Sequence, residues 1–129
     1  MKFWSYFHHP QAAMVLLRVT LALLILFHGW AKIRYGIGGI ERMVEAMGAP
    51  GWLAYGVYIG EVAAPLLMLV GLWVVPAALV IALNMLVAFA LVHTKQILTL
   101  QSTGGWALEL QAFFFVTALV VAMGYSKGK

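Results

Sequence analysis

The stretch WLAYGVYIGEVAAPLLMLVGLWVVPAALVIALNMLVAFALVH, residues 52–93, carries a single acidic or basic charge, Glu61. It is about twice as long as the roughly 20 apolar residues that cross a bilayer, so it holds two spans. The turn between them falls at Gly71 to Pro76, because glycine suits a helix C-terminus and proline a first helical turn. These spans are expected over 52–70 and 75–93. A first apolar run over 12–33, interrupted by Arg18, Thr20, His28 and Lys32, and a last over 105–125 complete a set of four.

Shorter segments fill the gaps. Phe3, Trp4, Tyr6 and Phe7, mixed with Lys2, His8 and His9, have the aromatic and basic character of a headgroup interface. Pro10 marks a helix entry. No signal-peptide pattern precedes the first span, which is expected to be retained. After a glycine-rich break at Tyr35 to Gly39, Ile40, Met43, Val44 and Met47 recur at helical spacing opposite Glu41, Arg42 and Glu45. That pattern predicts a short helix over 40–48 lying on the membrane, ended by Ala49-Pro50-Gly51. The expected fold is therefore all-α, one domain over 1–129: an integral membrane four-helix bundle with a short interfacial amphipathic helix between spans one and two.

Composition agrees. The 129 residues are 64% hydrophobic and 9% charged, with a mean hydropathy of +0.98, far from a soluble domain. The net charge of +4 sits near the ends and in one loop, which fits anionic lipid headgroups and offers no basic stripe for nucleic acid. Cysteine and aspartate are both absent, excluding thiol relays, Cys-ligated clusters and Asp-dependent triads. Redox chemistry would need a bound cofactor. Four spans put both termini on one side, taken as cytoplasmic. The basic residues divide too evenly for the positive-inside rule to fix that side.

Intramembrane ionisable groups are functional candidates by default. His28 and Lys32 are four residues apart and share a helix face. With Glu61 in span two, His93 at the end of span three and Glu109 in the first turn of span four, they lie toward one side and are expected to line a polar pocket. Pro65 removes the amide that would bond the carbonyl of Glu61, and Gly56, Gly60 and Ala64 form a small-residue stripe beside it. Glu61 serves equally well as a structural partner for Lys32. Asn84 is expected to bond between helices. Arg18, about 15 Å from His28 along the axis, belongs to the opposite leaflet and needs a carbonyl, phosphate or lipid. A haem on His28 and His93 would need facing imidazoles, a weak signal, and no spacing supports a metal site.

The ordered set Leu17-Arg18, Phe27-His28-Gly29 with Lys32, Met47-Gly48-Ala49-Pro50, Glu61 before Leu69-Val70-Gly71, His93, and Gly105 with Glu109 resembles the DoxX family of small bacterial membrane proteins. The similarity runs along nearly the whole chain. It implies a four-helix bundle of the bacterial inner membrane and an association with redox work: some relatives are subunits of quinone-linked sulfur oxidoreductases or partners of oxidative-stress proteins. Many relatives end in Gly-Pro-Gly and a Ser-Leu-Asp-like tail, whereas this chain has Met123-Gly124-Tyr125-Ser126 followed by basic residues.

Residues and resemblance together lead to the expectation of a membrane subunit that binds a quinone or similar lipophile. His28, Lys32 and Glu61 would take the chemical role, Arg18, His93 and Glu109 would join them in binding, and no metal is involved. The partners expected are lipid, a redox protein and a second copy of the chain. A scaffold held by the same charges, and a small transporter using Glu61 as its proton-coupled carboxylate, are the alternatives.

Overall fold

The computed structural model describes residues 2–92, 100 and 108–127. The protein is all-α, a helical membrane bundle. After a single turn, α1 (Lys2–Ser5), the chain enters α2 (Pro10–Tyr35) with proline in the first turn, where its missing N–H costs nothing. α2 stops at Gly36, whose φ of 82° favours glycine and whose N–H donates to the Lys32 carbonyl at 2.8 Å.

α3 (Gly38–Ala46) follows at once. Its end is a Schellman pair: Gly48, at φ 87°, donates to the Glu45 carbonyl, and Ala49 donates to that of Val44. The apolar face expected to rest on the membrane rests on the protein instead. Val44 is buried with Ile37 and Ala54, and Ile40, Ala49, Val57, Tyr58 and Leu91 pack around them.

The second span, Gly51–Val70, is not one regular helix. It opens as a 3₁₀ segment (Gly51–Gly56), widens into a π turn (Ile59–Ala63) and ends as α4 (Ala64–Val70). Pro65 explains the widening: it has no amide for the Glu61 carbonyl, and the preceding amide, Ala64 N–H, reaches back five residues to Ile59. Gly71, at φ 85°, closes α4 with a second Schellman pair, Gly71 donating to Met68 and Leu72 to Leu67. Trp73 takes a left-handed φ of 50°, and α5 (Val74–Val92) begins after it with Pro76 in the first turn. The last helix is α6 (Glu109–Tyr125).

Neighbours define a square. α2 packs on the second span and on α6, and α5 packs on the same two, while the backbones of the diagonal pairs stay farther apart among the described residues. Among the described residues three helices, α2, Gly51–Val70 and Val74–Leu91, are long and apolar enough to cross a membrane. α6 has 17 described residues, about 25 Å of helix, and the expected start at 105 lies outside the described residues. Leu16, Leu24, Phe27, Trp30, Phe113 and Val116 all face outward, an apolar exterior that suits lipid and not water.

The interior divides into a dry half and a polar half. Toward the Gly71 turn, Ile25, Met68, Ile81, Ala118 and Val121 form a closed core. Toward the α3 end, two glycines set the spacing. A Cβ on Gly29 would overlap the Glu61 carbonyl oxygen, and one on Gly60 would come within 2.6 Å of Asn84 Cβ. Gly56 plays no such part, for nothing lies within 4 Å of a Cβ there; the 3₁₀ and π segments break the four-residue spacing that would have kept it on the stripe.

Gly29→Ala should therefore lower stability by about 1–3 kcal/mol through overpacking, whereas Gly56→Ala should be close to neutral. Thermal unfolding in detergent compares the two; equal effects would show that Gly29 does not set the helix spacing.

Candidate functional site

Glu61 is buried at the π turn and holds two neighbours at once. Lys32 Nζ donates to Oε1 at 2.9 Å, and Asn84 Nδ2 donates to Oε2 at 2.9 Å. Both carboxylate oxygens thus have a partner, one from α2 and one from α5. Each bond to a charged group is worth about 1.5–3 kcal/mol, and the two tie three of the four helices together. Tyr58 adds a third tie, its hydroxyl donating to the Lys32 carbonyl at 3.2 Å.

The same polar cluster forms one wall of a cavity of about 700 Å³. Ile40, Val44 and Met47 of α3 cover it, and Leu53, Val57, Leu83, Val87 and Leu91 supply apolar sides. Its polar lining is His28, Lys32, Glu61, Asn84 and Gln111. His28 is exposed on α2, its ring set edge-on against buried Phe114 at 5.7 Å between centroids and 85° between planes. One end of the Gln111 amide, Oε1, is buried without a hydrogen-bond partner among the described residues. Such a group favours a ligand able to bond it.

The structure brings His28, Lys32 and Glu61 to this wall, together with Asn84. Glu109 does not join them: it is exposed at the start of α6, outside the cavity lining. The inward face of α6 runs Gln111, Phe114, Ala118, Val121, at alternating three- and four-residue steps. Glu109 is about 200° around the helix from Gln111, so only one of the two can point inward. That spacing was the available signal for Gln111, the polar lining residue that charge-led reading passes over. Arg18 lies at the other pole, beside Gly71 and Tyr125. His93 lies outside the described residues. Among the described residues no cluster of three metal-ligating side chains occurs.

These features define a multi-pass helical membrane protein with an intramembrane ion pair on the wall of an apolar cavity. The chain belongs to the DoxX family, whose model matches residues 13–94, from α2 to just beyond α5. Neither the curated proteins nor the solved structures contain a match to it.

Removing one member of the pair leaves the other charge buried. Lys32→Met and Glu61→Gln should each cost about 3–5 kcal/mol, and the Lys32→Met/Glu61→Gln double variant distinctly less than the sum of the two. Urea or thermal unfolding of all variants in one detergent checks this; additive losses would mean the two side chains do not act as a pair.

Proposed function

We propose that the protein is a redox-associated membrane subunit that holds a quinone or similar small lipophile in the cavity under α3. The observation that carries this is the cavity itself: about 700 Å³ of mostly apolar lining with its few polar groups clustered on one wall. That is the size and make-up of a small-molecule site. A quinone fits those groups, since its carbonyl oxygens accept hydrogen bonds and its reduced hydroxyls donate them. When bound it would supply a two-electron, two-proton couple.

The protein's own residues take defined parts. His28 offers a ring N–H at the cavity wall. Lys32 has two further N–H bonds beyond the one it gives Glu61. Glu61 balances the lysine charge and, with Asn84, fixes its position. Gln111 waits with an unused amide end. α3 and the apolar lining exclude water. The carboxylate of Glu109 is separate from this wall, and a proton path through it belongs to the proposal only as an outer relay.

Two further parts complete this reading. The protein works in the bacterial inner membrane with both termini on the cytoplasmic side, and a redox partner protein delivers or removes electrons. A scaffold role remains the second reading, favoured by the pairing of Lys32 with Glu61 inside the fold.

Titration with a short-chain benzoquinone, followed by tryptophan quenching in detergent, tests the proposal. Wild type should saturate. Ala88→Phe, which puts a ring on the cavity lining, and Gln111→Leu, which removes an amide oxygen without a hydrogen-bond partner among the described residues, should weaken binding about tenfold or more without lowering the unfolding temperature. Unsaturable quenching unchanged by either variant would favour the scaffold.

A further inference from the structure

The inward face of α2 runs Arg18, Leu21, Ala22, Ile25, Gly29, Lys32, so it has a basic residue at each end. The two ends are treated very differently. Lys32 has Glu61 at 2.9 Å. Among the described residues Arg18 has no acidic side chain within reach: Glu41, Glu45, Glu61 and Glu109 all lie toward the α3 pole. Arg18 is about 21 Å of helix away from Lys32 and its partner.

What surrounds Arg18 instead is a shaped and uncompensated place. The guanidinium carbon lies 5.6 Å from the centre of the Tyr125 ring, at the C-terminus of α6. Gly71, in its left-handed turn, leaves room on the other side; a Cβ there would sit 3.0 Å from an Arg18 terminal nitrogen. Two polar atoms are buried here without hydrogen-bond partners among the described residues, Arg18 Nε and the Tyr125 hydroxyl. A cation and a hydroxyl donor side by side, both unspent, fit an oxyanion.

Depth selects its source. Arg18 is eight residues inside α2, yet it is level with the turn that joins the second span to α5 and with the end of α6. It therefore stands where the bundle meets the headgroups, not at the bilayer centre. Lys127 follows just beyond Tyr125, and Lys2, His8 and His9 precede α2, so this pole is basic. A groove of about 330 Å³ between Met14 and Val15 of α2 and Gly124 and Tyr125 of α6 opens beside the pair. Its α2 lining precedes Arg18 by one to two helical turns, so it lies on the water side of the cation and has room for a polar headgroup.

We propose that Arg18 and Tyr125 form a binding site for the phosphate of an anionic phospholipid in the leaflet at the termini pole. The guanidinium supplies the charge and a fork of N–H donors, the phenol one more donor, and the groove receives the rest of the headgroup. The site is independent of the cavity under α3.

Native mass spectrometry of the delipidated protein tests this with phosphatidylglycerol, phosphatidylcholine of the same chains, and inorganic phosphate as probes. Wild type should retain phosphatidylglycerol in preference to phosphatidylcholine, and millimolar inorganic phosphate should not displace it. Arg18→Gln should weaken phosphatidylglycerol binding about tenfold, and Tyr125→Phe, which keeps the ring and loses only the hydroxyl, by a smaller factor. Tyr125→Phe guards against a folding defect in the arginine variant. Equal retention by wild type and both variants would overturn the site, and full displacement by inorganic phosphate would overturn its assignment to lipid.

Discussion

The bundle depends on one carboxylate. Glu61 sits inside a membrane-length segment, where an unpaired charge is strongly disfavoured, and it is tolerated because α2 and α5 each deliver a donor to it. That requirement sets much else. Gly29 must be bare for α2 to lie against the Glu61 carbonyl, and Gly60 must be bare for Asn84 to come close. Pro65 widens the backbone at this same point, giving a π turn of the kind often found at functional sites. Sequence, local geometry and packing thus converge on one residue.

The consequence is a protein with two unlike halves. Below the π turn, toward Gly71, apolar side chains form a closed core. Above it, α3 stands over the helix ends and covers a cavity in place of a core. A bundle built only for stability would fill that volume, since empty space forgoes packing contacts. The polar wall beside the void is what turns an economy of packing into a site.

Much of this was legible in the sequence. Hydropathy marked the long apolar helices, and Gly71 and Pro76 marked the sharp turn between the second span and α5, because helix ends have strong local chemistry. Lys32 and Glu61 could be paired from relative depth alone. What the sequence did not carry was rotation about each helix axis. Gln111 and Glu109 differ by two positions, and the apolar spacing of α6 decides between them more firmly than charge does. Gly56 was lost to the 3₁₀ start, a backbone departure that no side-chain pattern announces. Arg18 looked deep because α2 begins well before the rest of the bundle; its true level comes from what it touches, Gly71 and Tyr125. The family match ends at residue 94, so α6, which supplies Gln111 and Phe114 to the cavity, lies beyond it and was read from its apolar run and from the resemblance at Gly105 and Glu109.

The central claim is that the cavity beside Glu61 holds a redox-active lipophile in the membrane. The most direct measurement is a redox difference spectrum of the protein purified in mild detergent, joined to mass spectrometry of its solvent extract. The account predicts a quinone at close to one per chain in wild type and its loss on filling the cavity at Ala88. An extract holding only phospholipid, with a flat difference spectrum, would contradict it.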